Sequence, residues 1–333
     1  MQATNKTILI SRTDSIGDVV LTLPMAGFIK SVDPNIKVVF LGRTYTKDVI
    51  ALSKHVDQFI NYDLWRDLSL QKQADLLRSY NIDFFVHVFP NRKIARLAKL
   101  ANIKNRVGTT NRLFHWFTCN RLVPLSRKNS DLHEAQLNLK LLSFLNHNTL
   151  LSLKEIPSYY GFENIPQVQT EAVNLLDKEK IKIILHPKSK GSAKEWGLEN
   201  FARLIDLLPK EKFQIFISGT KEDGEQMPDL LSKNSKAIDL TGKLNLAQYI
   251  VFIAHCDVLV AASTGPLHIA AALSKQSIGL FVPKRPMHPG RWGALGAKAK
   301  CLVFDSDCEK CKNGEDCDCI KNISPQLVID NIK

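Results

Sequence analysis

The chain has 333 residues, 44% hydrophobic and 23% charged, with 45 Lys and Arg against 33 Asp and Glu, a formal net charge of +12. This composition excludes a disordered or collagen-like polymer, and the length suits two domains, each with its own core. No run approaches the ~18 apolar residues of a membrane span, and the polar start Met1-Gln2-Ala3-Thr4-Asn5-Lys6 does not read as a signal peptide, so neither secretion nor membrane insertion is expected.

Thr7-Ile8-Leu9-Ile10 is a short continuous apolar run, the pattern of a parallel strand buried on both faces. Similar runs follow at 37–41, 58–62 and 83–89, with helical spacing over 68–80 and 94–101. A second series opens at 181–185 and continues at 214–218, 237–240, 257–261, 277–282 and 300–304. Helical stretches at 198–208, 246–255 and 267–273 fill its gaps. This alternation predicts an α/β protein, and two series predict two Rossmann-like, doubly wound parallel-sheet domains, 1–165 and 166–333. The linker is expected at 156–168, where two prolines, Gly161 and the cluster Tyr159, Tyr160 and Phe162 break the periodicity.

Ligands of open α/β sheets bind outside the carboxyl ends of the strands, so the loops there are the place to look for chemistry. The first, Ser11-Arg12-Thr13-Asp14-Ser15-Ile16-Gly17-Asp18, offers two carboxylates. Asp18 falls at a helix start, where the positive end of the macrodipole attracts a carboxylate. It can serve as a general base or as a cap. The second, His186-Pro187-Lys188-Ser189-Lys190-Gly191-Ser192-Ala193-Lys194-Glu195-Trp196, combines hydroxyls, lysines and small residues, suiting a diphosphate as well as a basic surface loop. Neither a Walker A spacing nor a G-x-G-x-x-G fingerprint is present. In the third, Ser263-Thr264-Gly265-Pro266-Leu267-His268, a proline opens a helix and leaves its first N–H groups available to an anion.

Charge is uneven. Residues 1–165 carry 22 basic and 13 acidic side chains, and 84–130 carry ten Lys and Arg without one Asp or Glu. Such a block attracts polyanions or forms a solvated face. Phe114, Trp116 and Phe117 lie inside it, and two of the three are expected in the core. Of seven cysteines, Cys119, Cys256 and Cys301 read as core fillers. Cys308, Cys311, Cys317 and Cys319 form Cys-x2-Cys-x5-Cys-x-Cys, four thiolates suited to a structural zinc ion or, alternatively, free thiols in a surface loop.

Taken in order, R-x-D-x-I-G-D-V-V-L-T-L-P at 12–24, H-P-x-S…K-E-W at 186–196 and S-T-G-P-L-H-I-A-A-A-L at 263–273 resemble glycosyltransferase family 9, the bacterial heptosyltransferases of lipopolysaccharide core assembly. The resemblance implies a GT-B architecture, with an acceptor domain first, a nucleotide-sugar domain second and a cleft between them. A last helix, at about 324–332, often returns to the first domain in such folds. It also implies inverting transfer of a heptose from an ADP-activated donor to a lipid A-Kdo type acceptor, with no cofactor needed for catalysis.

By matching position, Asp18 is the implied base. Lys194, Ser189, Ser192, Ser263, Thr264, Gly265 and His268 fall at the donor, and Glu222 falls near the nucleoside. Charge, rather than a motif, puts Arg92, Lys93 and Arg96 of the basic block on the acceptor side, with Arg12 of the first loop. Ser263 stands where some members carry Asp, and Lys188 where many carry Gly. The implied setting is the cytoplasmic face of the inner membrane, with peripheral contact to anionic lipid and no nucleic acid. Two other readings fit parts of the sequence: a transferase using another nucleotide sugar for capsule or another surface glycan, and a non-catalytic polyanion or lipid-surface binder.

Overall fold

A computed structural model describes residues 6–127 and 130–333. The polar start at 1–5 and Lys128 of the basic block lie outside the described residues. The chain divides into two compact units, Met1–Asn164 and Ile165–Lys333.

In the first unit β1 (Thr7–Ser11), β2 (Lys37–Gly42), β3 (Gln58–Asn61), β4 (Phe84–His87), β5 (Asn105–Thr109) and β6 (Arg121–Val123) form one sheet, ordered β3-β2-β1-β4-β5-β6. All of its pairs are parallel. The second unit holds β7 (Ile181–His186), β8 (Phe213–Ile217), β9 (Ala237–Asp239), β10 (Val258–Ala262), β11 (Gln276–Phe281) and β12 (Ala299–Val303), ordered β12-β11-β10-β7-β8-β9. This sheet too is wholly parallel. Both follow the doubly wound order, in which the chain reverses direction between the first and fourth strand of each set. The switch points therefore lie between β1 and β4 and between β7 and β10. The first and third candidate loops leave β1 and β10, and the second leaves β7.

Every residue of β1 is buried, as its apolar run requires. β5, whose one large apolar residue is Val107, and the edge strand β6 escape the sequence pattern because they have few apolar side chains to bury. The two outer residues of β5, Asn105 and Arg106, are only partly covered, and none of β6 is fully buried. Helix Arg92–Leu100 turns Ile94, Ala95, Leu97 and Ala98 inward and leaves Arg92, Lys93, Arg96 and Lys99 exposed. Asn91 caps it by accepting from the N–H groups of Lys93 and Ile94 at 3.0 and 3.2 Å.

Three expectations need correction. Residues 156–160 are not a linker. Ile156 and Tyr160 are buried in the first unit, and the turn Ile156–Tyr159 packs on helix Pro24–Val32. The approach is so close that a Cβ at Gly27 would overlap the Tyr159 carbonyl. The last helix, Pro325–Asp330, stays with the second unit, packing on helix Leu198–Leu207 with Val328 in that unit's core. Finally, Trp116 and Phe117 are 58% and 67% exposed, because helix Leu113–Thr118 is anchored through His115 and Thr118 instead. Cys119 and Cys256 are buried, whereas Cys301 is exposed on the edge strand β12. Among the described residues no helix is long and apolar enough to cross a membrane.

Candidate active site

The loop beyond β1 holds a buried charge cluster. Arg12 is only 3% exposed. Its Nε and Nη2 donate to the Asp14 carboxylate at 2.6 and 2.9 Å, Nη2 also donates to Asp18, and Nη1 donates to Glu134 at 3.0 Å. Arg127 pairs with Glu134 from the other side and donates to Asn138 Oδ1 at 3.0 Å. Asn138 Nδ2 in turn donates to Thr22 Oγ1 at 3.2 Å, and the Thr22 hydroxyl donates to the Asp18 carbonyl at 2.8 Å. Two guanidiniums thus face three carboxylates. Burial pushes the Asp14 carboxyl above its ordinary range, with Arg12 opposing the shift and Asp18 adding to it.

Asp18 sits in the first turn of the short helix Ile16–Val20 and also accepts from the Ser15 hydroxyl. Its side chain keeps 18% exposure, so the carboxylate is fixed in direction but open to a reactant. Arg12, expected to meet an acceptor, is instead occupied by these carboxylates and has no face to offer. Arg127, Glu134 and Asn138 are absent from the sequence reading. Their only signal is an acid and an amide among the apolar Ala135, Leu137 and Leu139 of helix Glu134–Lys140.

At the carboxyl ends of β1 to β4 lies a cavity of ≈ 640 Å³ whose lining includes Thr13, Arg43, Asp63, Arg66, Lys93 and Arg96. Asp63 pairs with Arg43 at 2.9 Å and Arg66 at 3.6 Å. Lys93 and Arg96, with Arg92 beside them, have no carboxylate partner among the described residues. Four cations around one acid give this hollow a positive field.

In the second unit the His186 ring meets the Ser218 hydroxyl at 3.0 Å, and that hydroxyl meets Tyr249 OH at 2.7 Å. Desolvation pushes the His186 imidazole down to about 4, leaving it neutral at physiological pH. The following loop is organised by Glu195, which accepts from the Ser189 N–H at 2.9 Å and from Lys188 Nζ at 2.7 Å. Ser189 Oγ donates to the Ala193 carbonyl and Ser192 Oγ to the Ser189 carbonyl. Lys190 and Gly191 both adopt left-handed backbone, φ 50° and 77°, which makes the tight turn. Trp196 is fully buried and anchors the loop. Lys194 is partly exposed and pairs with Asp316.

Beyond β10, Thr264 is the residue before helix Gly265–Ala272, with Pro266 in the first turn. Its Oγ1 is buried with no hydrogen-bond partner, an unmet polar atom beside the free N–H groups of a helix start. Ser263 and Gly265 are half-buried and His268 is buried. Beyond β8, Asp223 is taken up in capping, accepting from the Thr220 N–H at 2.8 Å. Glu222 is free to face solvent and lies 4.0 Å from Lys190. The thiols of Cys308, Cys311, Cys317 and Cys319 lie within 4.8 Å of one another.

Residues 71–319 match the family model described as glycosyltransferase family 9 (heptosyltransferase). A Haemophilus influenzae protein provisionally described as a glycosyltransferase is 26% identical over 308 residues, covering 89% of this chain and 88% of its own. Lipooligosaccharide heptosyltransferase 2 of the same organism is 23% identical over 299 residues, 84% of each chain. The solved structure of Escherichia coli ADP-heptose lps heptosyltransferase II covers 98% of this chain and 97% of its own, with a TM-score of 0.74 at 19% identity. The fold so shared is GT-B, built from two Rossmann-like parallel sheets.

Proposed function

Because the chain belongs to glycosyltransferase family 9, the heptosyltransferases, we propose that this glycosyltransferase moves a heptose from ADP-heptose to an inner-core hydroxyl of lipopolysaccharide, inverting the anomeric carbon. The observation that carries the reading is Asp18, a carboxylate aimed by Arg12 and Ser15 yet still open to solvent. Asp18 takes the proton of the acceptor hydroxyl as that oxygen attacks the anomeric carbon. The bond from that carbon to the diphosphate oxygen breaks, and ADP leaves with the electron pair.

The negative charge gathering on the diphosphate needs donors already in place, since preorganised dipoles act without reorganisation at the moment of reaction. Lys194, the Ser189–Ser192 turn and the N–H groups of residues 265–267 supply them, and the unpartnered Thr264 hydroxyl gains an acceptor. Ser263, Gly265 and His268 surround the sugar and phosphates, and Glu222 meets the nucleoside. The role of Arg12 is positioning: it holds Asp18 rather than touching the acceptor. The first unit takes the acceptor, whose acidic sugars or phosphates meet Lys93 and Arg96 in the basic hollow and Arg92 beside it.

Binding tests the donor first. ADP at a hundred times its Kd adds about 2.7 kcal/mol of stability and raises Tm by several degrees, while UDP and GDP leave it in place. A shift with UDP or GDP in place of ADP transfers the protein to another surface glycan.

The acceptor is lipid-linked, and the unit that takes it exposes Leu113, Trp116 and Phe117 near Arg92, Arg96 and Lys99. Cations beside exposed aromatics fit the anionic cytoplasmic face of an inner membrane. The double variant Trp116→Ala/Phe117→Ala is expected to bind phosphatidylglycerol vesicles at least about tenfold more weakly, with Tm unchanged. Undiminished vesicle binding removes the membrane role.

A further inference from the structure

The four carboxyl-terminal cysteines have no part in that chemistry, yet their arrangement is specific. Cys308 Sγ and Cys317 Sγ are 3.6 Å apart, and Cys311 Sγ and Cys319 Sγ are 3.5 Å apart. A tetrahedral thiolate site with metal–sulfur bonds of about 2.3 Å separates its sulfurs by about 3.8 Å, whereas a disulfide needs about 2.05 Å. The backbone is turned to match. Gly314 is left-handed at φ 76° and donates its N–H to the Cys311 carbonyl at 3.2 Å. The Cys319 N–H points at Cys317 Sγ at 3.4 Å, the outer hydrogen bond that a metal-bound thiolate accepts. Cys311 and Cys319 are buried in the same core as Trp196, Ile320 and Ile323, with Cys308 and Cys317 packed at its margin.

This segment also grips the loop beyond β7. Trp196 Nε1 donates to the Ile323 carbonyl at 2.8 Å, Asn200 Nδ2 donates to the Lys321 carbonyl at 2.7 Å, and Lys194 pairs with Asp316. Asp316 lies between the second and third cysteine. We propose that the four thiolates bind one thiophilic divalent cation, zinc or ferrous iron, and that the filled site clamps residues 308–323 against the Lys194–Trp196 loop, setting its grip on the donor diphosphate. The clamp rests on the donor reading above; the metal site does not. Binding requires the thiols to lose their protons to solvent, and the metal then cross-links the pair Cys308 and Cys311 to the pair Cys317 and Cys319.

Elemental analysis of protein purified without chelator or added metal is expected to find one zinc or one iron per chain, iron distinguished by the red colour that its tetrathiolate site takes on when oxidised to the ferric state in air. Cys308→Ser and Cys317→Ser change the two half-buried ligands and spare the buried pair. They are expected to lose the metal, lower Tm and weaken ADP binding about tenfold, the low end for disturbing a metal site's surroundings. A metal-free wild-type chain, or Cys308–Cys317 and Cys311–Cys319 disulfides, overturns the site. Variants that lose the metal but bind ADP as wild type does overturn the clamp. A metal-loaded wild-type chain that fails to bind ADP overturns the donor reading and leaves the metal site standing.

Discussion

Asp18→Asn is expected to lower turnover by about 10²–10⁴-fold, the usual worth of a positioned general base, while ADP binding changes by less than about twofold. The amide preserves the shape and its one oxygen can still accept from Arg12, but its nitrogen only donates and it cannot take the acceptor proton. The interaction lost is one needed only as the hydroxyl attacks, so the deficit belongs in kcat rather than KM. Steady-state kinetics with the acceptor varied, together with calorimetric ADP titration, separate the two. Near-normal turnover by Asp18→Asn moves the base elsewhere, and Asp14 is the next carboxylate in the same loop.

Arg12→Ala is expected to cost about 3–5 kcal/mol, the scale for removing one partner of a buried ion pair. Asp14, Asp18 and Glu134 then lose a shared cation, and Glu134, itself only 1% exposed, retains Arg127. The sign of the pH dependence follows. Burial already holds the Asp14 carboxyl above its ordinary range and Arg12 opposes that shift; without Arg12 it rises further, so the native state binds more protons than the unfolded one, and stability falls as pH rises. The Arg12→Ala deficit is therefore largest near neutrality and shrinks as pH falls into the carboxyl range. Denaturant melts at pH 7 and pH 5 measure it. A deficit independent of pH makes the loss one of packing alone. Turnover should fall alongside stability, because Asp18 loses the group that aims it.

The legible parts of the fold were those in which burial leaves a local imprint. The inner strands are continuous apolar runs because parallel strands covered on both faces admit little else. β5 and the edge strand β6 leave no such imprint, since β5 holds Val107 as its one large apolar residue and no residue of β6 is fully buried. The aromatics at 159–160 looked like a linker because proline and glycine break periodicity, but packing on Gly27 is a tertiary fact with no local signature. Exposure of Trp116 and Phe117 was hidden for the opposite reason: helical spacing alone does not tell which face of a short helix is covered.

Site residues divide in the same way. Asp18, Lys194 and Thr264 lie within short motifs on strand-end loops, so their neighbourhood could be read directly. Glu134 stands 122 positions from Arg12, and nothing near either residue announces the pair. The loop around Arg12 points it to an acceptor, whereas its guanidinium is spent on Asp14, Asp18 and Glu134 inside the protein. The cysteine spacing, by contrast, announced a cluster, and the thiols do converge.

Direct transfer is the decisive measurement. Purified protein incubated with ADP-heptose and a Kdo-bearing lipid A acceptor should add one heptose, seen as a mass increase in the acceptor, and release ADP in equal amount, both abolished by Asp18→Asn. ADP-heptose left intact, with a different nucleotide sugar consumed in its place, would contradict the account.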